Sequence, residues 1–231
     1  MSDAALLLEN ITCTFAARDG QGSYTAVKDA TLAIAPGEFV SVVGPTGCGK
    51  STLLNVAAGL LQPSSGNVRV FGTPLAGINH RAGYMFQGEA LMPWRNALSN
   101  VMAGLEFAGV SEKECRERGM DWLRRVGLGG FEDRYPHQMS GGMRKRTMLA
   151  QTLIRDPDII LMDEAIAMSD RVVVLSAGPA THPIGEFTID IPRPRDVAEV
   201  RNQTRFVELH KAIWDVLREE VLKGYAQQKR A

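Results

Sequence analysis

The run Gly44-Pro45-Thr46-Gly47-Cys48-Gly49-Lys50-Ser51 carries the clearest chemistry in the chain. It fits the phosphate-binding P-loop pattern without a mismatch, and it lies between an apolar run at 39–43 and helix-compatible residues at 51–58. In that setting the glycines let backbone N–H groups converge on phosphate oxygens, while the helix N-terminus adds its positive end. Lys50 is then the cation for the β- and γ-phosphates, and the Ser51 hydroxyl is a ligand for Mg²⁺. A second pattern lies downstream. Met139-Ser140-Gly141-Gly142-Met143-Arg144 precedes an apolar run, Ile159 to Met162, that ends in Asp163-Glu164. A carboxylate at the end of a buried strand can hold Mg²⁺ through water.

Regular elements must position these groups. Apolar and β-branched runs predict strands over 6–15, 26–34, 39–43, 67–71, 82–86, 159–162 and 171–176, with those at 39–43 and 159–162 apolar enough to be covered on both faces. Helices are expected over 51–58, within 97–130, and over 140–155. Ser111 with Glu114 forms a capping box and Gly127 a stop, while Ser140 caps the helix that Asp156-Pro157 ends. Phe206, Leu209, Ile213, Leu217 and Val221 recur at helical spacing near the C-terminus.

The 231 residues fit one large α/β domain, alone or with a smaller lobe. Lys plus Arg balance Asp plus Glu at 26 each, so no global positive field draws the chain to nucleic acid. The N-terminal residues lack the basic start and long apolar stretch of a signal peptide, and no apolar run is long enough to span a bilayer. A cytoplasmic protein, peripheral to any membrane, is expected. Cys13, Cys48 and Cys115 are widely spaced without a metal-ligand pattern, as expected of free thiols in a reducing compartment.

The P-loop, the Ser140-Gly141-Gly142 pattern and the Asp163-Glu164 pair together resemble the ATP-binding subunits of ABC transporters. The resemblance implies a P-loop NTPase core of ABC ATPase type, α/β, with an antiparallel β subdomain and a helical subdomain. It places the helical subdomain at about 88–157 and a C-terminal strand and helix at about 177–231 of a single ATP-binding domain. ATP and Mg²⁺ are the implied cofactors. Gly44 to Ser51 and Thr52 would cradle the phosphates, Phe15 would stack on adenine, and Ser51, Gln87 and Asp163 would serve the metal. Lys50, Gln87 and Glu164 take the catalytic roles, with Glu164 as base. Ser140, Gly141 and Gly142 would face ATP held by a second ATP-binding subunit in a head-to-tail homodimer.

After Gln87, the segment Gly88-Glu89-Ala90-Leu91-Met92-Pro93-Trp94-Arg95-Asn96 resembles the nitrate, sulfonate, taurine and bicarbonate importer group. It implies docking on a transmembrane permease through Met92, Pro93 and Trp94, with a solute-binding protein as an indirect partner. The resemblance runs from Leu6 to the C-terminal helix with one interruption. Where the family continues from the acidic pair through a D-loop, a helix, a strand and a switch histidine, this chain passes straight to Ala165-Ile166-Ala167-Met168-Ser169-Asp170-Arg171. None of His80, His137, His182 and His210 stands in the switch position, and Thr181-His182 reads as surface loop. A truncated core sheet is expected, and two alternatives to a transport ATPase follow: an ATP-binding but hydrolysis-deficient remnant, and a soluble ABC-type ATPase without a transport role.

Overall fold

A computed structural model describes residues 4–16, 22–86, 90–162, 169–193, 195 and 203–228. The chain divides into two compact units, one made of Met1–Asn79 with Glu164–Ala231 and the other of His80–Asp163. The inserted unit is wider than the helical lobe expected at 88–157, because a strand on each side of that lobe pairs within it.

The first unit opens with β1 (Leu6–Ala16), β2 (Ser23–Ile34), β3 (Val40–Val43), α1 (Lys50–Ala57), β4 (Ser65–Val70) and β5 (Thr73–Pro74). Four of these strands form an antiparallel sheet in the order β2-β1-β4-β5. Along β1 the buried residues change parity, from Leu6 and Leu8 to Ile11 and Cys13. Asn10 makes the change: its φ of 52° lies in the left-handed region, and the β1–β2 register shifts between Leu8 and Ile11. Asparagine tolerates that conformation better than most residues, and the Asn10 amide donates to Thr31 Oγ1 at 3.0 Å.

The second unit contains β6 (Ala82–Met85), α2 (Ala97–Glu106), α3 (Glu112–Arg125), α4 (Gly141–Leu153) and β7 (Ile159–Met162). Its three helices bury a core that includes Leu98, Val101, Leu105, Leu123 and Ile154. Gly119 allows the close approach of α3 to α2, since a Cβ there would stand 2.8 Å from Leu98 Cδ1. Ser111 caps α3 by accepting from the Glu114 amide at 3.4 Å, which is one half of the expected capping box. The Glu114 side chain instead pairs with Arg118 one turn on, at 3.8 Å.

The chain returns to the first unit with β8 (Arg171–Leu175), β9 (Pro183–Thr188) and α5 (Thr204–Gln228). β3 pairs parallel with β8, and β8 antiparallel with β9. The apolar stripe of α5 covers this sheet: Ile213 packs with Val43, Val172 and Val174, and Val216 and Leu217 extend the contact. Leu209 and Phe206 continue it onto Ile191.

Two strands expected to be covered on both faces are not. In β7 Leu161 is buried but Ile160 is 45% exposed, and in β3 only Ser41 and Val43 are buried. β7 pairs only with β6 among the described residues. Among the described residues the first unit has a parallel-containing sheet of three strands, β3-β8-β9, and the inserted unit one of two, β6-β7.

Candidate functional site

The phosphate-binding pattern folds as the connection from β3 into α1. Three glycines are required by geometry. Gly47 and Gly49 have φ of 80° and 96°, left-handed values that a side chain would strain. Gly44 is required by space, since a Cβ there would stand 2.6 Å from Cys48 Sγ and 3.1 Å from Leu175 Cβ at the end of β8. Between them, the Cys48 amide donates to the Pro45 carbonyl at 3.2 Å and folds the loop back on itself.

α1 starts at Lys50 with no side-chain cap at Gly49. An anion can therefore take the place of a cap at that helix end. The Lys50 ammonium donates to the Gly44 and Pro45 carbonyls, each at 2.9 Å, and lies 3.7 Å from Cys48 Sγ. Thr46, Gly47 and Ser51 are exposed on the open side of the loop, while Thr52 is half-buried. Cys48 is enclosed, and burial pushes its thiol up from the ordinary range although Lys50 works the other way, so it is a packing residue rather than a nucleophile.

The donor set fits a polyphosphate: glycine backbone without obstruction, a helix N-terminus and an ammonium on one loop. For a Mg²⁺ ion the described residues offer the Ser51 hydroxyl. They contain no cluster of three or more His, Cys, Asp or Glu that could hold a metal. Gln87, Asp163 and Glu164, expected to serve the metal and the attacking water, lie outside the described residues.

Phe15 is 38% exposed near the end of β1, directly opposite Tyr24 of β2, itself 43% exposed. Both are exposed aromatic residues on neighbouring strands. Tyr24 belongs near the loop, because its hydroxyl is 3.3 Å from where Gly178 would carry a Cβ, and that same point is 3.6 Å from the Gly47 carbonyl. His182 is exposed, as expected of a surface-loop residue, and its Nδ1 lies 3.1 Å from the Ala180 carbonyl.

In the inserted unit, Ser140 caps α4 by accepting from the Met143 amide at 3.3 Å. Ser140, Gly141 and Gly142 are all exposed, and a Cβ on Gly142 would meet nothing within 4 Å. This helix end is thus open to close approach by another molecule. Of the residues expected to dock, Met92 is half-buried while Pro93 and Trp94 are exposed, Trp94 at 74%, and the neighbouring Leu91 is buried in the core.

What shapes that segment is Asn100, a residue the sequence reading passed over. Wholly buried in α2, it accepts from the Met92 amide at 2.7 Å and donates to the carbonyls of Met92, Arg95 and Asn96 at 3.1, 2.9 and 3.0 Å. Its signal was a polar residue within the apolar run Ala97, Leu98, Val101, Met102.

Comparison with known proteins places the chain. Residues 27–167 match the family model for ABC transporter, and the chain belongs to that family as an ATP-binding cassette. An uncharacterized ABC transporter ATP-binding protein, MJ0412 of Methanocaldococcus jannaschii, is 38% identical over 257 residues, covering 95% of this chain and 93% of that protein. The taurine import ATP-binding protein TauB of Yersinia pestis is 45% identical over 145 residues, 63% of this chain and 57% of that protein. Among solved structures, the ATP-binding cassette MJ0796, in a dimeric post-hydrolysis state bound to ADP and Pi, has a TM-score of 0.70 at 25% identity, covering 81% of this chain and all of that one.

Replacing Asn100 by Ala leaves the Met92 amide and three carbonyls without their side-chain partner inside the inserted unit. The expected cost is about 2–4 kcal/mol, read as a lowered midpoint in urea unfolding followed by circular dichroism. An unchanged midpoint would show that water replaces the amide without loss.

Proposed function

We propose that the chain is the ATP-binding subunit of an importer for a small oxyanion-like solute, binding MgATP at residues 44–52 and pairing head to tail with a second copy. Docking on a membrane permease runs through Met92, Pro93 and Trp94, which makes the subunit peripheral on the inner face of the membrane. The observation that carries the nucleotide assignment is the loop geometry: two left-handed glycines, a third with no room for a side chain, and Lys50 within the same turn. The taurine import relatives support the solute class, and the described residues contain no helix long and apolar enough to cross a membrane.

In this reading, Lys50 exchanges two neutral carbonyls for anionic phosphate oxygens, a stronger partnership. The loop amides and the N-terminus of α1 hold the β-phosphate in place, and Ser51 offers its hydroxyl to the ion. Bound Mg²⁺ would supply charge neutralisation between the phosphates. Gln87 and Asp163 are assigned to that ion, Glu164 to the attacking water, Phe15 to adenine, and Ser140 to Gly142 to the nucleotide of the partner copy.

A second reading rests on one observation. The alignment with MJ0412 extends over 257 residues although this chain has 231, so that relative carries residues inside the matched span that this chain lacks. That difference is compatible with an ATP-binding subunit in which the D-loop and switch histidine of the family pattern are missing, the segment that the sequence pattern skips after Asp163-Glu164. Such a subunit holds nucleotide and turns it over poorly.

Three outcomes test these assignments. Lys50→Ala should weaken MgATP binding by roughly tenfold to a hundredfold in calorimetry, and equal affinities in mutant and wild type would remove the loop from the site. Trp94→Ala should abolish co-purification with the membrane subunit while leaving nucleotide affinity intact, since Trp94 belongs to no buried core. Positioning groups are each worth a few kcal/mol of barrier, so losing several should lower phosphate release by roughly three orders of magnitude from a complete cassette. Ordinary turnover that Glu164→Gln abolishes would refute the hydrolysis-deficient reading.

A further inference from the structure

We propose that Glu220 of α5 is a positioning residue for the phosphate-binding loop, fixing the turn at 175–181 that backs the loop's glycines. The inference rests on the ATP-binding reading and assigns a role to a helix which that reading leaves as mere cover.

Glu220 is 5% exposed, an unusual place for a carboxylate. One oxygen accepts from the Ala177 amide at 2.7 Å, and the other pairs with Lys223 at 2.5 Å. Burial alone would push this carboxyl up, yet Lys223, the Ala177 amide and nearby His182 together hold it below its ordinary value. One buried carboxylate thus ties the Ala177 amide of the turn to Lys223 on its own helix.

That amide belongs to the turn that touches the phosphate-binding loop. Leu175 fills the space that a side chain on Gly44 would need, with its Cβ at 3.1 Å and its carbonyl at 3.3 Å. Gly178 lies beside the Gly47 carbonyl. The turn is then sewn to β2: the Ala180 and Thr181 amides donate to the carbonyls of Thr25 and Ala26 at 2.7 and 3.1 Å, and the Lys28 amide donates back to Thr181 at 2.9 Å. Next to those bonds, Val27 Cγ2 stands 2.9 Å from where Gly49 would bear a Cβ. All three glycines are therefore backed by the turn or by the strand it is sewn to. α5 also reaches the loop directly, because a Cβ on Gly224 would be 3.7 Å from Pro45 Cβ.

A residue needed only for packing would be apolar here, since burying a charge costs more than burying a methyl group. A carboxylate earns its place by aiming at one N–H. Its reach matters too: aspartate is one methylene shorter and falls short of Ala177, whereas glutamine keeps an acceptor oxygen at the right distance.

The test compares wild type with Glu220→Ala, Glu220→Asp and Glu220→Gln in the full chain, by amide hydrogen exchange without nucleotide and by MgATP calorimetry. The Ala and Asp variants should speed exchange at Cys48 of the loop and at Ala180 and Thr181 of the turn, whose amides are hydrogen-bonded, while leaving Val172 to Val174 of β8 protected, and should weaken MgATP binding roughly tenfold. The Gln variant should restore both readouts to near wild type. If Glu220→Ala fails to fold, Glu220→Asp keeps the charge and carries the test. Exchange that is unchanged, or that rises equally in the loop and in β8, overturns the proposal and leaves Glu220 a stability residue. Wild-type protein that binds no MgATP would sink the nucleotide assignment alone, because the exchange pattern still decides the positioning role.

Discussion

The parallel pairing of β3 with β8 is the contact on which the phosphate-binding loop depends. Val40 to Val43 register against Arg171 to Val174, so the strand that delivers the loop lies alongside the strand that delivers the turn behind it. The pairing is locked at its start. The Phe39 amide donates to the Asp170 carboxylate at 3.0 Å across 131 positions of chain, and Arg171 binds Glu38 at 2.7 Å and Glu186 at 2.9 Å. Closing so long a loop costs entropy that grows only slowly with its length. Burial of Val172, Val173 and Val174, each 1% exposed or less, offsets it. An inserted unit with its own core can therefore occupy the intervening chain.

Local chemistry was legible in the sequence, and long-range chemistry was not. The glycine loop, the Ser111 and Ser140 caps and the stripe from Phe206 to Leu217 are written in neighbouring residues, and the structure follows each. The change of face at Asn10 was hidden because it depends on one left-handed residue with ordinary alternation on each side. Glu220 was unreadable for another reason: its partner is an amide 43 positions away, and glutamate on a helix is ordinarily a surface residue. The exposure of Ile160 is not written in its own strand, since apolar content states what a strand prefers to meet and not what the rest of the chain supplies.

The turn at 175–181 and the loop at 44–51 meet mostly through backbone and small residues, Gly44, Gly47 and Gly178 among them. Such an interface has little side-chain freedom to lose on ordering. It also has little tolerance, because a methyl group at Gly44 would have to displace Cys48 Sγ and press on Leu175. The path of the loop is thus fixed by close packing of backbone as well as by its hydrogen bonds.

Asn100 has a consequence of a different kind. One amide group sets the path of the backbone from Met92 to Asn96, and no side-chain atom of Pro93 or Trp94 takes part in its four hydrogen bonds. Shape and surface chemistry are therefore encoded separately in this segment. Substitutions at the exposed positions 93 and 94 can change the surface chemistry while the backbone path persists. A scaffold so divided lets the side chains on its surface vary without loss of the fold beneath them.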